Sequence, residues 1–167
     1  FEDDNVIHVA NKVDPIADIE VIQTELCLAD LSTVEKSLQR YTKAAKSGND
    51  KEAAALVKVL TKVQAVLNEG KPVRTLTLGE QEQALLKPLC LITAKPAMFV
   101  GNVSEDGFEN NPFLDRLTEY ATAQNAPVVA ICAKIEAELA EMGDEDRLEF
   151  LKELGQDEPG LNRLIRA

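Results

Sequence analysis

Residues 97–132 read AMFVGNVSEDGFENNPFLDRLTEYATAQNAPVVAIC. Two short apolar runs, Ala97–Gly101 and Pro127–Cys132, bound this stretch and read as buried strands. Between them Asn111-Pro112 supplies a helix start, because Asn caps the first turn and Pro tolerates its missing partner there. That helix is expected to run to about Gln124, with Phe113, Leu114, Leu117 and Tyr120-Ala121 on its inner side. Lys134 to Glu141 continues as another helix. Strand, loop, helix, strand, loop, helix is the pattern of a parallel sheet covered by helices, so the expected class is α/β. Two more helices follow, Asp144 to Leu154 and Pro159 to Arg166.

The sequence before this stretch has a different texture. Asn5–Ala10 is a short β-rich run that ends at Asp14-Pro15, a helix-start pair. Ile19, Ile22, Leu26, Ala29, Val34, Leu38, Tyr41 and Ala45 then mark one apolar stripe down to about Lys46. Ser47-Gly48-Asn49 breaks it, and Asn49 with Glu52 resembles a capping box. A second stripe, Ala53, Leu56, Leu60, Val63 and Leu67, stops at Gly70. Two long amphipathic helices joined by a short turn must lie antiparallel, seam against seam. Thr77-Leu-Gly-Glu80 reads as a further capping box, opening a helix through Leu86 that Pro88 kinks or ends. The expected organisation is therefore an inserted helical hairpin or antiparallel coiled-coil arm at 15–88. It interrupts an α/β part made of 1–14 and 89–167, and a long insertion costs little loop-closure entropy.

Composition narrows the function. Of 167 residues 45% are hydrophobic, enough for a packed core. The net charge of −11 repels phosphate backbones as a whole, so DNA is not an expected partner and any RNA contact needs a local basic patch. Arg40, Lys43, Lys46 and Lys51 gather at the expected hairpin tip, either as a solvated helix end or as such a patch. No apolar run approaches the ~20 residues that span a bilayer, so no membrane partner is expected. Three cysteines, Cys27, Cys90 and Cys132, lie far apart and point to a reducing, cytoplasmic setting. A lone histidine, His8, supports neither a metal site nor a catalytic triad.

Two strings carry nucleotide chemistry. Asn11-Lys-Val-Asp14 matches the guanine-reading NKxD element, but no GxxxxGK[ST] phosphate loop accompanies it and Asp14-Pro15 is explained as a cap. It is read as a coincidence. Asn102-Val-Ser-Glu105 is an NKxD-like string with Lys lost and Asp lengthened to Glu. It follows a strand, at the carboxyl end where open α/β sheets bind ligands, and the next strand ends in Cys132-Ala133-Lys134. On spacing alone a surface turn explains it equally well.

The run Asn102–Pro112, NVSEDGFENNP, resembles the YchF subfamily of the Obg-like P-loop NTPases. So do Asp18–Leu26, DIEVIQTEL, and the tail Glu153–Ala167, ELGQDEPGLNRLIRA. The resemblance covers essentially the whole chain. It implies a P-loop NTPase sheet with an inserted coiled-coil arm, ATP preferred over GTP, Mg²⁺ dependence and association with the ribosome. By that analogy Asn102 bonds the base, Val103 reads it through the main chain, Glu105 replaces the guanine-selective Asp, and Cys132-Ala133 line the opposite side. The physical reading agrees in part: adenine offers no N2 donor and its N1 is an acceptor, so a carboxylate aimed there is repelled, whereas a longer Glu can swing away. The family's P-loop, its Mg²⁺-binding residues and its C-terminal TGS domain are expected outside residues 1–167, which begin at Phe1. This stretch is thus expected to hold no catalytic or metal residue and to hydrolyse nothing alone. The competing expectation is a non-catalytic helical interaction module on an α/β scaffold.

Overall fold

Helix α1 spans Pro15–Gly48 and α2 spans Lys51–Asn68 in the computed structural model, which describes residues 13–48 and 50–167. The strand expected at Asn5–Ala10, together with Asn11, Lys12 and Asn49, lies outside the described residues. The apolar stripe of α2 is buried as its spacing implies, but the first half of the stripe expected on α1 is not: Ile22 is 61% exposed and Ala29 is exposed, while Cys27, Asp30 and Val34 take the inner face. Cys27 and Val34 of α1 share one buried cluster with Leu56, Val59, Leu60, Val63 and Leu67 of α2. Gln23 Nε2 donates to the Gly70 carbonyl at 3.4 Å, so the start of α1 lies beside the end of α2 and the pair is antiparallel. The cap of α2 differs from expectation. Asp50, not Asn49, holds it, with Oδ1 accepting from the Glu52 and Ala53 amides at 3.0 Å. Both residues are good caps, and the one immediately before the first helical turn does the work.

Helix α3, Glu80–Leu86, likewise starts later than a Thr77 box would place it. Its cap is Gly79, whose amide donates to Glu82 Oε2 at 3.1 Å. Lys62 Nζ lies 2.6 Å from the other Glu82 oxygen. The Lys62 hydrogen bond first, then the Gly79 amide, holds the Glu82 carboxyl below its ordinary range. A single-turn 3₁₀ segment, Lys87–Leu89, carries Pro88 and closes the helix.

The described residues form two compact units, Ala17–Pro96 on one side and Ala97–Ala167 with the residues up to Ile16 on the other. Residues 89–96, grouped by sequence with the α/β part, therefore pack in the helical unit. The reason is a buried carboxylate. Asp30 Oδ1 accepts from the Ile92 amide at 2.8 Å, and Oδ2 accepts from the Thr93 amide and hydroxyl, each at 2.7 Å. The Thr93 hydroxyl in turn accepts from the Val73 amide at 3.1 Å. One Asp on α1 thus fixes two irregular segments, supplying partners that buried backbone amides require.

In the other unit β1, Phe99–Asn102, pairs in parallel with β2, Val128–Ile131, with Asn102 opposite Ile131. Helix α4, Pro112–Ala123, connects them and presses Leu114 and Leu117 against Gly101, where a Cβ would sit 3.2 and 3.3 Å from their methyls. Phe99 and Tyr120 meet edge to face at 5.7 Å. Helices α5, Ala133–Glu141, α6, Asp144–Glu153, and α7, Gly160–Arg166, complete the unit. Ile135, Leu139 and Leu151 join Val103 and Cys132 in its core. The class is α/β, helix-rich with a small parallel sheet. No helix among the described residues is long and apolar enough to cross a membrane.

Replacing Asp30 by Ala should destabilise the folded protein by about 3 kcal/mol or more, because it orphans buried amides as well as removing charge-assisted bonds. Urea unfolding measures it, and Asp30→Asn should fall between wild type and Ala, since one amide position turns from acceptor to donor.

Candidate nucleotide-base site at the strand ends

The parallel register delivers two loops to the same place. Beyond the last strand pair, the Val103 amide donates to the Ile131 carbonyl at 2.8 Å. The Ala133 amide donates to Asn102 Oδ1 at 3.0 Å. This second bond fixes the sense of the Asn102 amide. Its oxygen must face the Ala133 N–H, so its NH₂ group is the end turned elsewhere. Glu105 Oε1 lies 2.6 Å from Lys134 Nζ, joining the same two loops once more. The Glu105 hydrogen bond, then the charges of Glu105 and Glu138, raise the Lys134 pKa above its ordinary value.

Five residues were singled out for base recognition, and their side chains divide into two groups. Asn102, Glu105 and Ala133 are exposed at the strand ends. Val103 and Cys132 are buried in the core cluster, so only their backbone can face a ligand. The Val103 N–H is spent on Ile131, which leaves its carbonyl as the group of the right sense for an amino donor. Cys132 is a buried free thiol, as is Cys27, while Cys90 is exposed.

The loop between Val103 and α4 is held from within. The Gly107 amide donates to the Ser104 carbonyl at 2.9 Å. A Cβ on Gly107 would fall 2.7 Å from Ser104 Oγ and 3.1 Å from its amide nitrogen, so the turn leaves little room for a side chain. Asn111 serves both ends: Nδ2 donates to the Gly107 carbonyl at 2.9 Å, and Oδ1 accepts from the Phe113 and Leu114 amides at 3.1 and 3.3 Å. Phe108 packs against the core cluster beneath Arg163, whose guanidinium carbon is 5.8 Å from the ring centre. Arg163 Nη2 also donates to the Ala130 carbonyl of β2 at 3.2 Å. Neither Arg163 nor the Glu105–Lys134 pairing has a local signal in the sequence; Arg163 lies 55 residues from Phe108, and no short pattern links them.

This architecture is matched by known proteins. A YchF protein of Escherichia coli O157:H7, described as a ribosome-binding ATPase, is 52% identical over the whole chain. Those of Haemophilus influenzae and Bacillus subtilis, with the same description, are 50% and 46% identical. Over its whole length the chain is homologous to YchF proteins. It spans about half the length of the curated relatives it matches, 46% of each. The structure of the Schizosaccharomyces pombe YchF GTPase superposes with a TM-score of 0.84 at 28% identity, covering 98% of this chain and 46% of that one. No protein-family model matches the chain.

The second candidate surface lies in the helical unit. Arg40, Lys43 and Lys46 in the last turns of α1 and Lys51 at the start of α2 are all exposed. Arg40 lies over the Tyr41 ring at 5.4 Å. None of the four enters an ion pair among the described residues.

Asn111→Ala should cost about 1–2 kcal/mol of stability in a denaturant titration, the scale of a lost helix cap. Asn111→Asp should recover most of the cap but not the Gly107 clasp, so its loop amides should exchange hydrogen faster than in wild type.

Proposed function

We propose that residues 102–105 and 132–133 receive the base of a purine nucleotide, adenine in preference to guanine, within a YchF-type ATPase that associates with ribosomes in the cytoplasm. The observation that carries this reading is the Asn102–Ala133 hydrogen bond. It leaves the Asn102 NH₂ as a donor at the end of a parallel sheet, where it suits the N7 acceptor that adenine and guanine share. The Val103 carbonyl suits the amino group on adenine, and guanine presents a carbonyl there, which would repel it. Glu105, engaged with Lys134, is turned toward the other loop. The names of the relatives support nucleotide hydrolysis and ribosome binding for the whole protein.

Phosphoryl transfer consists of cradling phosphates and positioning the attacking group. Residues 1–167 contain no GxxxxGK[ST] loop. Among the described residues no three His, Cys, Asp or Glu side chains converge as a metal site. The proposed share of this segment is therefore base recognition, with Mg²⁺ and phosphate handled elsewhere in the whole protein, and the isolated segment is inactive.

Asn102→Asp tests the base site. A carboxylate still accepts from the Ala133 amide, so the loop clasp survives while the donor toward N7 is lost. In the whole protein, ATP and GTP affinities should both fall about tenfold by calorimetric titration, on the scale of one hydrogen bond exchanged for repulsion. Unchanged affinities would remove Asn102 from the site.

Ribosome contact is assigned to the basic hairpin end. Lys and Arg on RNA phosphates release counterions, so binding through them weakens as salt rises. Reversing Arg40, Lys43 and Lys46 to Glu should reduce co-sedimentation with ribosomes at low salt and leave nucleotide affinity unchanged. Equal pelleting of wild type and variant would return these cations to the role of a solvated helix end.

A further inference from the structure

Glu105 has lost no reach by being longer than Asp. A rotamer change would bring its carboxylate back toward a base held by Asn102, where it would accept from the two guanine N–H donors as an Asp does. Something must hold it elsewhere, and the nearest group is Lys134, 2.6 Å away on the opposite loop. Lys134 is the second residue of α5. A cation in a first helical turn is disfavoured by the helix dipole, so this position gains little from the helix itself. Glu138, one turn on, and Glu105 are the two carboxylates acting on it, and Glu105 is the one that hydrogen-bonds.

We propose that Lys134 is a specificity-determining residue, which restrains Glu105 by an ion pair and so withholds from guanine the carboxylate that would otherwise select it. The assignment rests on the base-site reading given above. It makes Lys134 a positioning residue, acting through Glu105 without touching the base. Glu105 and Lys134 are about half and two-thirds exposed, so the restraint is of the strength of a surface ion pair. Such a restraint biases the choice between two purines and does not forbid either.

Calorimetric titration of the whole protein with ATP and with GTP tests it, using wild type, Lys134→Met, Lys134→Arg, Glu105→Gln/Lys134→Met and Asn102→Asp. Lys134→Met should raise the GTP-to-ATP affinity ratio roughly two- to fivefold, the range of an exposed pair. Lys134→Arg keeps the cation and should keep the wild-type ratio. The double variant should lose the gain, because an amide offers guanine's donors one acceptor in place of a carboxylate's pair. Added salt should move the wild-type ratio toward that of Lys134→Met by screening the ion pair. An unchanged ratio in Lys134→Met, with Asn102→Asp weakening both nucleotides, overturns the role of Lys134 and leaves the base site standing. If Asn102→Asp weakens neither, the base-site reading falls and this assignment with it. Circular dichroism of each variant confirms that the comparison is between folded proteins.

Discussion

The parallel register of two four-residue strands is the constraint on which the candidate site depends. With Asn102 opposite Ile131, the chain leaves both strands at one end. Each loop then meets the other as it starts: Val103 bonds to Ile131, and Ala133 bonds to Asn102. A slip of one residue would turn Asn102 to the helix-covered face and bury its amide without a partner. The register is itself held from the side. Gly101 admits Leu114 and Leu117 to the sheet, and Glu136 ties α7 to the unit by accepting from the Gly160 and Leu161 amides at 2.7 and 3.1 Å. A Cβ on Gly160 would lie 2.8 Å from that carboxylate and 2.9 Å from Ile131, so the tie requires glycine.

Local pattern located the helices, and it failed where the deciding partner is distant. The stripe of α2 announces its face, because its apolar positions fill the core; α1 carries apolar residues on more than one face, and Cys27, Asp30 and Val34 are buried where Ile22 and Ala29 are exposed. The Asn111-Pro112 start of α4 was equally legible, since cap and donor are neighbours in sequence. Segment 89–96 was not. Its attachment to the helical unit depends on Asp30, 62 and 63 positions earlier than the amides it binds. An Asp inside a helix reads as a polar face until the fold brings Thr93 to it. The same limit applied to the α2 cap: Asn49 and Asp50 are both competent, and a preference between adjacent caps lies below the resolution of pattern reading.

The site was legible as a string and illegible as a constellation. Asn102 and Glu105 stood out because their spacing resembles a known reading element. Nothing in that string shows that Val103 is buried with its amide already committed, or that the Cys132 side chain faces the core. In the proposed reading those facts leave two groups to meet a base, the main-chain carbonyl of Val103 and the side-chain NH₂ of Asn102, which the Ala133 amide orients. A backbone reader is less open to substitution than a side-chain reader, because its direction is fixed by the strand that precedes it.

Charge is distributed unevenly for a chain carrying −11 overall. Lys62, Lys71, Arg116, Lys134, Arg147 and Arg166 each lie within an ion pair. Among the described residues the cations at the hairpin end enter no ion pair, nor do Lys36, Lys58, Lys87 and Lys95. An exposed pair contributes little to stability, so pairing on this scale serves to cancel local field more than to hold the fold. At the hairpin end Arg40, Lys43, Lys46 and Lys51 share the surface with exposed Asp50 and Glu52, so the positive excess there is small and local. Long-range repulsion from the acidic remainder disfavours non-specific approach to nucleic acid, while screening over a Debye length of ~8 Å at physiological salt lets the tip act on its own once it is close. The proposed ribosome contact fits that balance, because it asks a partner to offer phosphates to the tip alone and not to wrap the whole chain.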